Sequence, residues 1–354
     1  MTPADKSRLV GQLAQELGFD RVGVTRAAPS PAESYYRRWL ASGYAGSMAY
    51  LRRHIALRED PSLLLPGARS IICVAASYAR AEDRAAPAAG TGRISCYVRG
   101  ADYHRVLGGR LRCLVQRLRE RLPEAFDARV FVDTGPLLER RLAASAGLGW
   151  IGKNTMLLHE RLGSYLFLGE VVTTLELEPD APAIDRCGRC TRCLDACPTR
   201  AFPRPYELDA SRCISYLTVE HRGTVPPEFH KAIGDWVYGC DVCQEVCPFN
   251  RHAPDASLPE LVSGGLPPRL PLLDLLTLGS SAYRRLTHGT AARRARRNMW
   301  RRNAAIALGN AERLTEAERQ ALLRAAGDED QSVRDAARQA LAGWSADQPG
   351  SPVE

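Results

Sequence analysis

The chain has 354 residues, 45% hydrophobic and 25% charged, an ordinary globular composition that excludes a disordered or fibrous protein. Its formal charge is +8, and its eleven cysteines follow an N-terminal stretch, Met1–Gly18, that lacks the apolar core of an export signal. No run of 18 apolar residues occurs, so a transmembrane helix is excluded; a cytoplasmic monomer with no membrane partner is expected.

In chain order, Thr2-Pro3 supplies a cap and a proline at the first helical position, and Gly18 a stop. Leu9, Val10, Leu13 and Leu17 lie on one face of the helix between them. Arg21–Thr25 reads as a short strand. The uninterrupted apolar run Arg69–Ser77 predicts a strand buried on both faces. A surface loop is expected over Ala81–Gly92, rich in alanine, proline and glycine. Tyr103–Leu122 has helical spacing, Ala128–Val132 reads as a further buried strand, Pro136–Ala146 as a helix and Leu166–Leu177 as a β-rich run. A proline-bearing linker is expected at Glu178–Ala183 and a second break at Ser263–Pro271. The resulting division is 1–180, 181–262 and 263–345, with a tail at 346–354.

The cysteines carry the most specific signal. The first run is Cys187-x2-Cys190-x2-Cys193-x3-Cys197-Pro198; three thiolates within seven residues can wrap one cubane, and the fourth, followed by proline, turns to a second. The second run, Cys240-x2-Cys243-x3-Cys247-Pro248, has the same ending but carries Val237 where its first cysteine would stand. Cys213 is available to fill the vacancy. The crossed arrangement of two-cluster ferredoxins then assigns Cys187, Cys190, Cys193 and Cys247 to one [4Fe–4S] cluster. Cys197, Cys213, Cys240 and Cys243 fall to the other. Paired four-cysteine zinc sites are the competing reading, but zinc sites take cysteines two and two. A triple run whose Cys-Pro ending is used twice is an iron–sulfur pattern.

Other motifs are more ambiguous. Gly147-Leu-Gly149-Trp-Ile-Gly152-Lys153 imitates dinucleotide and phosphate loops, yet Asn154 replaces the required Ser or Thr, and a helix precedes it instead of a strand. A turn allowing close approach of another large ligand is expected there. Asp133 ends a predicted strand, where desolvation would raise its pKa and suit it to proton delivery; capping of the next helix is an equal alternative. Cys96 and His104 taken alone read as a small buried hydrophobe and an ordinary histidine.

Between Arg269 and Arg302 nine arginines face one acid, Asp274, an excess as large as that of the whole chain. Such a segment is the electrostatic footprint of a phosphate-backbone partner, with Arg293, Arg294, Arg296, Arg297, Arg301 and Arg302 as the contact candidates. Arg301, Ala304, Ala307 and Leu308 are matched 33 residues later by Arg334, Ala337, Ala340 and Leu341, which suggests a short HEAT-like helical array.

Together, CGRCTRCLDACPTRAF (187–202), RCISYLTVEHRG (212–223), YGCDVCQEVCPFN (238–250), LERRLAASAGLGWIGKNT (138–155), DYH (102–104) and RRNAAIALGN (301–310) resemble the epoxyqueuosine reductases. The resemblance implies an α+β multidomain protein. Its parts would be a nitroreductase-like α/β cobalamin domain, a ferredoxin-like domain with two [4Fe–4S] clusters and a C-terminal HEAT-like unit. It implies reduction of the epoxide of epoxyqueuosine in tRNA to the alkene of queuosine, with electrons from an external donor. Carried over by position, Asp133 is the proton donor and lies with Arg58, Cys96, Lys153, Asn154 and Ser215 in cobalamin-contacting segments. The family's Asp-Ser-Ala-Pro is here Asp133-Thr-Gly-Pro136, which keeps the hydroxyl. The same core resembles reductive dehalogenases, so the alternative is a dehalogenase-like enzyme acting on a small molecule, which gives the arginine segment no purpose.

Overall fold

The computed structural model describes residues 1–29, 33–80 and 88–346. Its first region contains α1 (Pro3–Glu16), β1 (Arg21–Arg26), α2 (Glu33–Ala41), α3 (Ile55–Glu59), β2 (Ser70–Ser77), β3 (Thr91–Ile94) and α4 (Tyr103–Arg121). It continues through β4 (Ala128–Phe131), α5 (Glu139–Ser145), β5 (Trp150–Ile151), β6 (Leu157–Leu158) and β7 (Leu166–Thr173). Short pieces follow: α6 (Arg192–Asp195), α7 (Ile214–Val219), α8 (His230–Ile233), β8 (Trp236–Tyr238) and α9 (Val242–Glu245). The last region runs β9 (Arg269–Pro271), α10 (Leu272–Leu276), α11 (Ser280–Thr287), α12 (Arg297–Gly309), α13 (Glu316–Ala325) and α14 (Gln331–Ala346). The architecture is mixed α+β.

The main sheet has the order β1-β2-β7-β4, with every neighbouring pair antiparallel. All eight residues of β2 are buried, because both faces of the sheet are covered. Ile72, Val74 and Ala76 pack with Leu13 of α1 and Leu107 and Leu111 of α4. Ile71, Cys73 and Ala75 pack with Leu142 and Ala143 of α5. The end of α5 comes so close that a Cβ on Gly23 would lie 2.0 Å from the Ala146 carbonyl oxygen. At the start of α1, the Thr2 hydroxyl accepts from the Asp5 N–H while the Asp5 carboxylate accepts from the Thr2 N–H, a reciprocal cap. β4 departs from expectation: it is the edge of the sheet and only partly buried, so its end, at Asp133, opens outward.

A second sheet, β8-β3-β9, takes one strand from each of the three expected segments. β3 runs parallel to β8 and antiparallel to β9. The core there is also continuous, with Ile94, Trp236, Leu270 and Trp300 in one cluster. Two expected loops are thus partly strand: the break at Ser263–Pro271 ends in β9, and the stretch Ala81–Gly92 runs into β3, its residues 81–87 lying outside the described residues. The linker is irregular but anchored, since the Asp180 carboxylate accepts from the Val24 N–H at 2.8 Å. In the helical region α12 packs on α14 through the small residues Ala304, Ala307, Ala337 and Ala340, all buried. The expected tail lies outside the described residues from 347 onward. Among the described residues no helix is long and apolar enough to cross a membrane.

Candidate active site and cysteine cavities

Cys187, Cys190, Cys193 and Cys247 line one small cavity, closed by Lys153, Asn154 and Phe249. Burial, then the neighbouring Cys247 and Cys187 sulfurs, push the Cys193 thiol up to about 11. A second group of sulfurs lies deeper. Cys213 is influenced by Cys197, Cys240 by Cys213 and Cys243, and Cys243 by Cys213 and Cys197, with burial the leading cause of raised thiol pKa in all three. Cys243 is also influenced by Cys193, so the two groups adjoin. Crowded sulfurs that resist ionisation alone become stable thiolates when they coordinate metal cations, so both donor sets suit clusters. Val237 is fully buried in β8, in the core, where a side chain cannot reach a cluster.

The β5–β6 hairpin connects these cavities to the first domain. At its tip Lys153 Nζ donates to the carbonyls of Gly188 (2.7 Å) and Cys190 (3.0 Å), and Asn154 Nδ2 donates to the Cys243 carbonyl (3.3 Å). One face of the tip is held by Arg140 of α5, whose Nη1 donates to the Thr155 carbonyl at 2.6 Å. The glycines here allow this close packing. A Cβ on Gly149 would lie 2.0 Å from the Leu158 carbonyl oxygen, and one on Gly152 2.0 Å from Leu158 Cδ1.

Asp133 follows β4 with φ 57°, a left-handed conformation that aspartate tolerates better than most residues. A tight bond from the Thr134 N–H to the Val132 carbonyl (2.6 Å) closes the turn around it. The Asp133 N–H donates to Glu139 Oε1 at the start of α5 (2.5 Å), which fixes the turn from behind. Its carboxylate meets His104 Nε2 at 3.2 Å, and His104 Nδ1 meets Asp102 Oδ1 at 2.7 Å. Asp102 caps α4 by accepting from the His104 N–H, so one residue both starts the helix and orients the imidazole. The ring of Tyr103 stacks on Phe167 (4.2 Å) and on His104 (4.1 Å), and its hydroxyl bonds Asp133.

The electrostatics differ from the simple expectation for Asp133. Its side chain is 57% accessible, yet desolvation is the largest single influence on it and pushes its pKa upward. The hydrogen bond and charge of His104, with help from Tyr103 and Arg294, outweigh that and hold the carboxyl below the usual carboxylate range. His104 shifts the opposite way. Desolvation lowers its pKa, but the bonds and charges of Asp133 and Asp102 outweigh it, for a net rise. The two neighbouring carboxylates therefore favour the protonated form of the His104 imidazole. Behind it Glu139 and the fully buried Glu170 of β7 are both raised, foremost by burial, and form a pair that ionises reluctantly.

Of the remaining sequence candidates, Arg58 Nη1 donates to the Leu137 carbonyl (3.3 Å), and its buried Nε has no partner. Ser215 sits at the start of α7, where its N–H and that of Tyr216 donate to Cys213. Cys96 is 4% accessible, packs in the main core and turns its thiol to the buried Asp241, whose carboxylate also accepts from the Cys96 N–H (2.8 Å). It therefore stands behind a wall, not at an exposed face. The arginines divide sharply. Arg302 is fully buried and donates to the carbonyls of Leu217, His221 and Gly223; burial pulls its pKa down to about 10, so it is no phosphate contact. Arg297 donates to the Leu278 carbonyl, and Arg301 to the Leu276 carbonyl and Asp328. Arg293, Arg294 and Arg296 are exposed, with Arg294 held bidentately by Glu220 (2.6 and 2.8 Å) and influencing Asp133. Sequence reasoning passed over His104, Glu139 and Glu170. An Asp-x-His at a helix start was the available signal for the first, and a charged residue inside the apolar run of β7 for the last.

Residues 186–250 match the 4Fe-4S double cluster binding domain family, and residues 58–134 match the family described as Epoxyqueuosine reductase QueG, DUF1730. The epoxyqueuosine reductase of Pseudomonas aeruginosa is 41% identical over 324 residues, covering 88% of each chain. That of Xanthomonas campestris pv. campestris is 40% identical over 313 residues, covering 87% of this chain and 88% of its own. A crystal structure of epoxyqueuosine reductase with a tRNA-Tyr epoxyqueuosine-modified tRNA stem loop superposes with a TM-score of 0.89 at 31% identity, covering 97% of this chain and 91% of the other. The Streptococcus thermophilus epoxyqueuosine reductase gives 0.80 at 28% identity, covering 95% and 98%.

Proposed function

We propose, from the premise that this chain belongs to the epoxyqueuosine reductase family, that it reduces the epoxide of epoxyqueuosine in tRNA to the alkene of queuosine. The reaction takes up two electrons and two protons and releases water. The observation that carries the reading is the Asp102–His104–Asp133 relay, held beside α5, whose Arg140 grips the tip of the β5–β6 hairpin that reaches the sulfur-lined cavity. Acid chemistry and an electron path thus meet at one place.

Cluster ligation follows the crossed sets: Cys187, Cys190, Cys193 and Cys247 for the outer cluster, Cys197, Cys213, Cys240 and Cys243 for the inner. Cobalamin fits the region beside Asp133 on two observations. Asp133 and Arg140 carry exposed side chains close enough to influence each other, and Arg58 Nε is buried without a partner. Arg58, Lys153, Asn154 and Ser215 would hold the cofactor, with Asp133 on the substrate side and Cys96 supporting the wall. When bound, cobalamin supplies low-potential cobalt chemistry for opening the epoxide.

This chain's residues then manage the protons. Asp133 Oδ2 passes the His104 proton to the epoxide oxygen as the C–O bond breaks, and Asp102 stabilises the imidazole throughout. Reprotonated from solvent through His104, Asp133 delivers the second proton as the oxygen leaves as water. Arg293, Arg294 and Arg296 hold tRNA phosphates beside the opening, and the helices α12–α14 form the HEAT-like platform, in a cytoplasmic enzyme that acts on tRNA. The test is anaerobic incubation of the protein and a low-potential reductant with epoxyqueuosine-bearing tRNA, followed by nucleoside mass analysis. Queuosine should accumulate with the native chain. Its failure to appear with both clusters and cobalamin in place would refute the reading.

A further inference from the structure

The outer cysteine cavity borders a surface that neither the proton relay nor the tRNA contacts use. Among the residues that wrap it, Gly188, Arg189, Thr191, Arg192, Asp195 and Arg251 are exposed. A groove of 610 Å³ opens directly on Cys247, with Arg192 and Arg251 on its walls. Two acids of this face are neutralised by ion pairs, and two meet only uncharged donors. Glu160 pairs with Arg186, Glu245 with Arg93, Asp195 accepts from the Thr191 hydroxyl, and Asp185 accepts from the Tyr206 hydroxyl. Arg189, Arg192 and Arg251 have no ion pair among the described residues, and they outnumber the two acids of this face, Asp185 and Asp195, that meet only uncharged donors, so the face around this cluster ligand carries an excess of positive charge. The deeper sulfurs cannot receive a protein donor. Asn154 donates to the Cys243 carbonyl, Cys213 stands at the start of α7, and the neighbouring Asp241 is buried, so these elements enclose them.

We propose that the face formed by Arg189, Arg192 and Arg251 around the Cys247 groove is the docking surface for an acidic one-electron carrier protein that reduces the outer cluster. This rests on the cluster assignment proposed above. In each encounter the reduced carrier loses one electron and the outer cluster gains it; no bond forms, and the electron passes on to the inner cluster. Electron-transfer encounters are small and transient, so charge complementarity sets their rate more than buried area does. An RNA on the same face would leave the groove and its cysteine without a role, whereas a carrier needs both.

The test uses holoprotein with both clusters and follows bleaching of the iron–sulfur absorbance by stopped flow. Two reductants are compared: an acidic flavodoxin hydroquinone and reduced methyl viologen, a small cation that needs no docking surface. With the native chain the flavodoxin rate should fall steeply with added salt while the viologen rate does not. Combined substitution R189E/R192E/R251E should slow flavodoxin at least ~10-fold, within the range of electrostatic steering, and leave viologen no slower. Arg→Lys at the three positions should restore most of the flavodoxin rate. A salt-independent flavodoxin rate in the native chain overturns the proposal without any variant. So does an equal fall with both reductants, or a variant that loses tRNA affinity while flavodoxin still reduces it normally. Because the readout is cluster reduction and not tRNA turnover, the docking surface can fail while the reductase activity stands.

Discussion

The two cysteine loops are close copies locally. Each contains a four-residue helix, α6 or α9, entered at φ −125°, ψ 7° in one and φ −113°, ψ 5° in the other, and each ends in Cys-Pro. Their surroundings are opposite. Loop 187–197 lies at the surface, with Arg189 and Arg192 exposed; in loop 240–247 Asp241 is 6% accessible and bonded to Ser95 and Cys96 of the first domain. One backbone motif therefore makes both an outward and an inward cluster site. What sets the exposure of each site is what packs against each copy, above all the Asn154 hairpin and the residues after β3.

The sharpest attempt to break this comparison is to remove the inner cluster. Cys213→Ala should abolish turnover with every reductant and lower iron from about eight to about four per chain, counted by colorimetric assay on anaerobic protein. Cys247→Ala should empty the outer site although Cys247 belongs to the second loop. Iron loss confined to the inner site in that variant would undo the crossed assignment.

Next in size is the acid at the inner end. Asp133→Asn should lower kcat by about 10²–10⁴-fold, the usual contribution of a positioned general acid, with cluster reduction untouched. A variant that retains native turnover would remove Asp133 from its role.

His104 gives a smaller and more informative effect. Its folded pKa is raised, so the relay's proton is present below that value and lost as pH rises through it. The native kcat should therefore hold through neutrality and decline on the alkaline side. In His104→Gln the decline should move to lower pH, since Asp133 then lacks the group that stores its proton, and a full pH profile reads the shift. An unmoved alkaline limb would assign the titration elsewhere.

The least effect on chemistry is expected in the arginines, where buried and exposed residues separate. Neutralising Arg293, Arg294 and Arg296 should weaken tRNA binding and flatten its salt dependence by a log–log slope of about 0.9 per lost phosphate contact, measured by titration at several salt concentrations. Arg302→Leu should instead lower thermal stability, because three buried carbonyls lose their donor at about 1–3 kcal/mol each. Loss of tRNA affinity at native stability in Arg302→Leu would contradict its burial.

Much of the molecule is legible in the chain itself. The reciprocal cap at Thr2–Asp5 and the doubly buried β2 follow from local pattern, because capping and burial on both faces are recorded in adjacent residues. Elements that depend on distant partners are not legible in this way. β9 lies in a glycine- and proline-rich stretch and is a strand because β3, 178 residues earlier, offers an open edge and Arg269 donates back to Thr91. The glycines at 147–152 imitate a phosphate loop in sequence, but in the fold they make room for the Ala181 and Leu158 carbonyls and the Leu158 side chain.

The amino-acid sequence by itself determined that the chain carries two four-sulfur donor sets, because thiolate ligands declare their chemistry by type and their grouping by spacing. Tertiary structure alone decided which set faces outward, which arginines reach solvent and which groups surround His104. Charge and proton affinity depend on neighbours and dielectric. His104 becomes the proton store only because folding sets it 3.2 Å from a carboxylate 29 residues away, and Arg302 is withdrawn from any partner only because α12 carries it into the core.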